Sequence, residues 1–231
     1  MNELVVIAEG ATELAFVRDL LAAHLAVFGI SAWAVLPGRH RNKGGVKKWE
    51  IARQDIIRTL KENRYCTTMI DYYAMPMDWP GRQNATAKHW RERARFVETE
   101  LAKAVQGEIG DSFNPQYFIP YVQLHEFEAL AFSDETQLAA VVAQLSEFTE
   151  EKILKQLQTV LDEAGEPEAI NDGYDTCPSR RIQAIAKPYK KRIHGPITIA
   201  RIGLGTIRQK CGHFDLWLKK LEQLAPPNQE E

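Results

Sequence analysis

The run Leu4-Val5-Val6-Ile7-Ala8, halted by Glu9-Gly10, constrains this chain more than any other segment. A continuous apolar stretch rich in β-branched residues is a strand buried on both faces, and such strands belong to parallel sheets covered by helices. The period then changes. Leu14, Val17, Leu21, Leu25 and Phe28 fall on one helical stripe, which Gly29 ends. The alternation continues with a strand over residues 32–36, closed by Pro37-Gly38, and a helix marked by Trp49, Ala52, Ile56 and Leu60. A third strand over 66–70 ends on Asp71, and Trp90, Ala94, Val97, Leu101 and Ala104 mark a third helix. Residues 117–124 read as a fourth strand, with Pro120 arguing for an edge position or a bulge. This order predicts an α/β fold with a mainly parallel, Rossmann-like four-stranded sheet and right-handed crossovers.

Beyond residue 132 the pattern is helical throughout. Helices are expected over 138–145, 153–161, 179–186, 197–207 and 214–224, with Pro196 in the first turn of the fourth. The expected organisation is therefore an α/β domain over 1–132 and a helical extension over 133–231.

Several classes are disfavoured. No apolar run approaches the roughly 18–20 residues a membrane-spanning helix needs, and the first residues enter a strand rather than a signal sequence. The expectation is a soluble, cytoplasmic protein with no membrane partner. Cys66, Cys177 and Cys211 are odd in number and widely spaced, which argues against a disulfide framework or a zinc site. A net charge of −2 gives no general reason to expect nucleic acid. Local clusters do: Arg39, His40, Arg41 and Lys43; Arg180 and Arg181; and Lys187, Lys190, Lys191 and Arg192.

Chemistry in an open parallel sheet gathers beyond the carboxyl ends of its strands. Here those ends deliver Glu9 after the first strand, Asp71 with Asp78 after the third, and His125-Glu126-Phe127-Glu128 after the fourth. Carboxylates held close together repel one another unless protonated or neutralised, and hard divalent cations with a preference for oxygen ligands suit that task. A cation so held can activate water and offset charge on a phosphodiester. The second strand delivers the loop of Arg39, His40 and Lys43, whose charge would attract a phosphate backbone. Arg180 and Arg181 open a helix, with Ser179 as its cap, and helix amino termini suit phosphate. Glu126 and Glu128 would share a face in a strand but not in a helix.

The segments Glu9-Gly10-Ala11-Thr12-Glu13, Asp71-Tyr72-Tyr73 with the later Pro76-Met77-Asp78, and His125-Glu126-Phe127-Glu128-Ala129 also carry a resemblance. So do Pro178-Ser179-Arg180-Arg181 and Cys211-Gly212-His213-Phe214. Together they resemble a bacterial TOPRIM-like family of unassigned function, related to domains of topoisomerases, primases and OLD-type nucleases. The resemblance implies a TOPRIM-like sheet and a Mg²⁺ (or Mn²⁺) site built on Glu9 and Asp71. It also implies DNA or RNA as substrate, a partner ATPase, and a setting in antiviral defence or mobile elements. One departure matters. The family's usual second motif is Asp-x-Asp, so a third carboxylate must come from Asp78, Glu126 or Glu128, or be missing. If it is missing, the chain is a non-catalytic subunit that binds nucleic acid or an ATPase. A phosphoacceptor signalling domain is a third reading, weakened because the first strand does not end in an acid pair.

Overall fold

The computed structural model describes residues 2–38, 48–111, 113–170, 173 and 175–224. The basic loop carrying Arg39, His40 and Lys43 lies outside them. The fold is α/β with a mostly parallel sheet, and the chain divides into two compact units. The first takes in the described residues of Met1–Ile70, Ala74–Val122 and Leu216–Glu231; the second takes in those of Asp71–Tyr73 and Gln123–Asp215.

In the first unit, β1 (Asn2–Ala8) leads into α1 (Ala11–Phe16), a π-helical segment Val17–Leu21 and α2 (Ala22–Ala26). β2 (Ile30–Val35), α3 (Trp49–Lys61), β3 (Tyr65–Asp71), α4 (Arg82–Ala85) and α5 (Trp90–Ile109) follow. The sheet order is β2-β1-β3-β4, where β4 is Phe118–Ile119. The β1–β2, β1–β3 and β3–β4 pairs are all parallel. β1 is central, and its register sets Leu4 against Ala32 on one side and Tyr65 on the other. That position explains its unbroken apolar run: Leu4 to Ala8 are all buried because both faces are covered. Ala52, Ile56 and Leu60 on α3, and Ala94, Val97 and Leu101 on α5, lie on the buried stripes that their spacing predicted, although Val105 rather than Ala104 is buried at the next turn.

The expected fourth strand is two short ones. β4 stops before Pro120, and β5 (Val122–Gln123) resumes after Tyr121, pairing with β3. Proline has no N–H for the ladder, so the strand cannot run through it. Side chains of β3 bridge the gap. Thr67 Oγ1 donates to the Ile119 carbonyl (2.5 Å) and accepts from Trp217 Nε1 (2.9 Å). Thr68 Oγ1 donates to the Tyr121 carbonyl (2.8 Å) and accepts the Tyr121 N–H (2.9 Å). Trp217 also stacks on Tyr121, with ring centroids 4.4 Å apart.

The second unit is mainly helical. It contains a 3₁₀ turn over Phe127–Ser133, α6 (Glu135–Ala143), α7 (Glu150–Ala164), α8 (Pro178–Ile185), α9 (Lys191–Lys210) and the start of α10 (Gly212–Glu222). Asp134 caps α6 by accepting the N–H groups of Thr136 and Gln137, each at 3.0 Å. Two expectations need correction. Ser179 is not the cap of α8 but its second residue, because Pro178 takes the first helical position. Pro196 lies in the second turn of α9 rather than the first, and that helix is interrupted at Gly203 (φ 76°, ψ 155°). Among the described residues no helix is long and apolar enough to cross a membrane.

The side-chain bridge beside Pro120 gives a direct test. Thr68→Val keeps shape but leaves the buried Tyr121 N–H and C=O without their partner, which should cost about 2–3 kcal/mol. Urea unfolding checks it: the midpoint should fall with the slope unchanged. An unchanged midpoint would show that the bridge contributes nothing.

Candidate functional site

The local backbone of the second unit explains how its acids come together. Asp71 is the last residue of β3. The two residues after it pair with the end of β5 and the segment that follows: the Tyr72 N–H donates to the Gln123 carbonyl (2.9 Å) and the Tyr73 N–H to that of His125 (3.0 Å). His125 has a positive φ of 60°, uncommon for a residue with a side chain and a sign of backbone held by its surroundings. Glu126 is extended (φ −139°, ψ 154°), and Glu128 lies in the 3₁₀ turn that Glu126 opens. The geometry is therefore neither the strand nor the α-helix that the spacing of the two acids left open.

Asp71, Glu126 and Glu128 are all buried, at 6%, 5% and 2% exposure. Lys191, the first residue of α9, reaches two of them: its Nζ is 2.7 Å from Glu126 Oε1 and 3.3 Å from Glu128 Oε2. Burial alone would lower the Lys191 pKa, but the charges of Glu128, Glu126 and Asp71 outweigh it and hold the ammonium well above its ordinary value. Burial likewise works to raise Glu126, yet the Lys191 ammonium and the Ser179 N–H hold its carboxyl below the usual range. That N–H, near the start of α8, donates to Glu126 Oε2 at 3.0 Å. An internal carboxylate thus occupies the place expected for phosphate at this helix terminus.

A second buried glutamate repeats the device. Glu168 accepts the N–H groups of His213 (2.9 Å) and Phe214 (3.0 Å) at the start of α10. Burial pushes its carboxyl up, and those two N–H groups oppose the shift. The Cys-Pro-Ser and Cys-Gly-His-Phe segments are both helix starts tied to buried glutamates. Their cysteines are buried, with thiol pKa raised by burial and by nearby Glu126 for Cys177 and Glu168 for Cys211, which makes them poor nucleophiles.

Of the other expected residues, Glu9 and Asp78 belong to the first unit and Arg180 and Arg181 to the second. Glu9 follows β1 in the first unit, its N–H donating to the Met69 carbonyl at 3.0 Å. Asp78, also in the first unit, accepts the Trp49 N–H at the start of α3 (3.1 Å). Arg180 is exposed, with Nη1 3.4 Å from Gln183 Oε1. Arg181 is fastened to the Thr176 carbonyl (3.0 Å) and to Glu163 (3.1 Å).

Two participants were not foreseen. Lys191 read as one member of an exposed basic cluster. A signal was present, because three successive cations at a helix amino terminus have the wrong sign for its dipole and call for anionic neighbours. Tyr189 is the other: its hydroxyl is buried, and among the described residues it has no hydrogen-bond partner. Burial and the charges of Glu128 and Glu126 push its pKa up, so it remains a protonated donor near those carboxylates.

This donor set suits a hard divalent cation in chemistry, being all oxygen and anionic with a buried hydroxyl beside it. Its present geometry is different. Among the described residues no three His, Cys, Asp or Glu side chains converge as an ion-binding group, and the Lys191 ammonium bridges Glu126 and Glu128.

Fold and cluster together define an α/β protein with a mostly parallel sheet and a buried carboxylate–lysine centre. The chain belongs to the family described as domain of unknown function DUF4276, whose model matches residues 8–222. No curated protein matches it. Among solved structures it is similar to the C-terminal region of the Burkholderia pseudomallei OLD protein, at 15% identity and a TM-score of 0.49, covering 96% of this chain and 98% of that one.

The Glu126 environment has a pH signature. A carboxyl whose folded pKa is depressed stabilises the fold above its unfolded value, ordinarily 4.5, and loses that contribution as pH falls through the folded value. Glu126→Gln should therefore cost about 2 kcal/mol at neutral pH, a figure reduced because Lys191 is partly exposed. The wild-type and variant curves of thermal stability against pH should draw together as pH falls below the ordinary carboxyl value of 4.5 and through the lowered folded one. A constant offset across the whole range would contradict this electrostatic account.

Proposed function

We propose that this chain is a TOPRIM-like, metal-dependent phosphodiester-cutting protein acting on DNA or RNA. The observation that carries the reading is the meeting of buried Glu126 and Glu128 at one ammonium that also feels the charge of Asp71, itself buried at the carboxyl end of a parallel strand. Buried carboxylates are costly to maintain, and their collection at such a place fits a site for charge chemistry better than a packing role. The Asp71, Glu126 and Glu128 carboxylates would hold Mg²⁺ or Mn²⁺, and Glu9, at the end of the strand next to β3, is the proposed further acid. The ion would supply Lewis-acid activation of water and offset charge on the phosphodiester. The buried Tyr189 hydroxyl would donate a hydrogen bond to a bound oxygen, and Lys191 would contribute positive charge. Arg39, His40 and Lys43, with Arg180 and Arg181, are the proposed contacts to the nucleic-acid backbone. The same reading includes a cytoplasmic location, a partner ATPase and a role in phage defence.

A second reading is favoured by a specific observation. Lys191 already bridges two of the carboxylates, as in a site that has lost its metal and kept its shape. On that reading the chain is a non-catalytic subunit that binds nucleic acid or an ATPase.

Cleavage of labelled DNA and transfer RNA by the purified chain, with Mg²⁺, Mn²⁺ or chelator, separates the two. The first reading expects metal-dependent cleavage, lowered about a hundredfold or more by Glu9→Gln and by Asp71→Asn. The double variant should be little worse than either single one, since groups serving one reaction are not additive. Wild-type rates in folded Asp71→Asn would remove that residue from the site. No cleavage by the wild-type chain under any condition would favour the binding subunit.

A further inference from the structure

The carboxylates of the second unit are held by backbone that cannot easily give way. Glu126 precedes a 3₁₀ turn and is fastened to the Ser179 N–H, while Glu128 sits within that turn. Lys191 is different. It is the first residue of α9, its side chain is 38% exposed, and its flexible stem allows the ammonium to turn toward solvent. Its neighbours Lys190 and Arg192 are already exposed. The helix itself gives Lys191 no reason to stay, because a cation at a helix amino terminus opposes the dipole. Attraction to Glu126 and Glu128 keeps it in place. A second feature lies within reach of the same charges: the Tyr189 hydroxyl, which feels Glu128 and Glu126, is buried with no hydrogen-bond partner among the described residues. A buried donor left in that state costs free energy that a bound oxygen would recover.

We propose that Lys191 is a resident cation of this centre, and that its ammonium and a divalent metal ion occupy the Glu126–Glu128 carboxylates in exchange for one another. The inference rests on the reading of this cluster as the divalent-cation site, and it adds a form of regulation. Binding of metal requires Lys191 to withdraw, so any contact that draws Lys191 away, such as a nucleic-acid phosphate, raises the affinity for the ion. Metal and polyanion then favour each other by linkage.

The test is binding of Mn²⁺, followed by calorimetry, to the wild-type chain, Lys191→Met and Lys191→Arg. Lys191→Met removes the charge and nearly keeps the length, and it should bind Mn²⁺ about tenfold or more tightly than wild type. Lys191→Arg keeps the charge and should stay close to wild type. Lys191→Met should be less heat-stable than wild type in chelator, and Mn²⁺ should restore the loss. If it does not fold in chelator, Mn²⁺ should restore folding, and failure to do so overturns the proposal. Unchanged or weaker binding in folded Lys191→Met overturns it as well, as does absence of binding in both proteins. Adding Glu128→Gln to Lys191→Met should abolish the gain; a gain that persists in full would place the ion elsewhere and also overturn the proposal. Cleavage is scored separately. A gain in affinity without cleavage by any form sustains the exchange and rejects the nuclease reading, whereas cleavage without the gain does the reverse.

Discussion

Within the second unit, much depends on how one carboxylate is satisfied. Glu126 is buried, and an ionised carboxyl in that position is tolerable only with partners matched to its charge. It finds two. One oxygen accepts the Ser179 N–H, which orients the amino terminus of α8; the other meets Lys191, which fixes the start of α9. A single side chain therefore sets the entry of two helices relative to the 3₁₀ turn that follows it. Glu168 repeats the arrangement at the start of α10 through the N–H groups of His213 and Phe214. The helical part of the chain is held by buried acids acting on helix termini as well as by apolar packing.

That arrangement gives a different meaning to segments that looked like a phosphate site. The Pro178-Ser179-Arg180-Arg181 stretch has the features of an anion-binding helix start, and it does bind an anion, but an internal one. Arg181 is engaged by Glu163 and a backbone carbonyl, so what this segment offers to a partner is chiefly the exposed Arg180. The same physics that recommends such a terminus for phosphate makes it an anchor for glutamate.

The sheet was legible because its signals are local. β1 and β3 are runs of apolar and β-branched residues covered on both faces, and α3 and α5 each carry one apolar stripe. Pro120 announced an irregular fourth strand, although only the structure shows Thr67 and Thr68 taking over the interrupted hydrogen bonds. The acids at strand ends were also visible as candidates, and two of them, Glu126 and Glu128, meet at Lys191. The partners of those acids were not legible. Ser179 and Lys191 are distant from Glu126 along the chain, and no short-range pattern encodes which of three adjacent cations turns inward. Tyr189 was hidden for a similar reason, since a tyrosine in a polar stretch gives no sign that its hydroxyl will be buried. Asp78 has a structural task that its loop did not reveal, since it accepts the Trp49 N–H at the start of α3.

The account stands on Glu126 and Lys191 being energetically coupled rather than merely adjacent. A double-mutant cycle measures that coupling from the unfolding free energies of Glu126→Gln, Lys191→Met and the combined variant in urea at neutral pH. Because the pair can be lost only once, the combined variant should be destabilised by less than the sum of the two, with a coupling of about 1–3 kcal/mol. Losses that add to within about 0.5 kcal/mol would contradict it, and the ion pair would then be a neighbour of the site and not its organising contact.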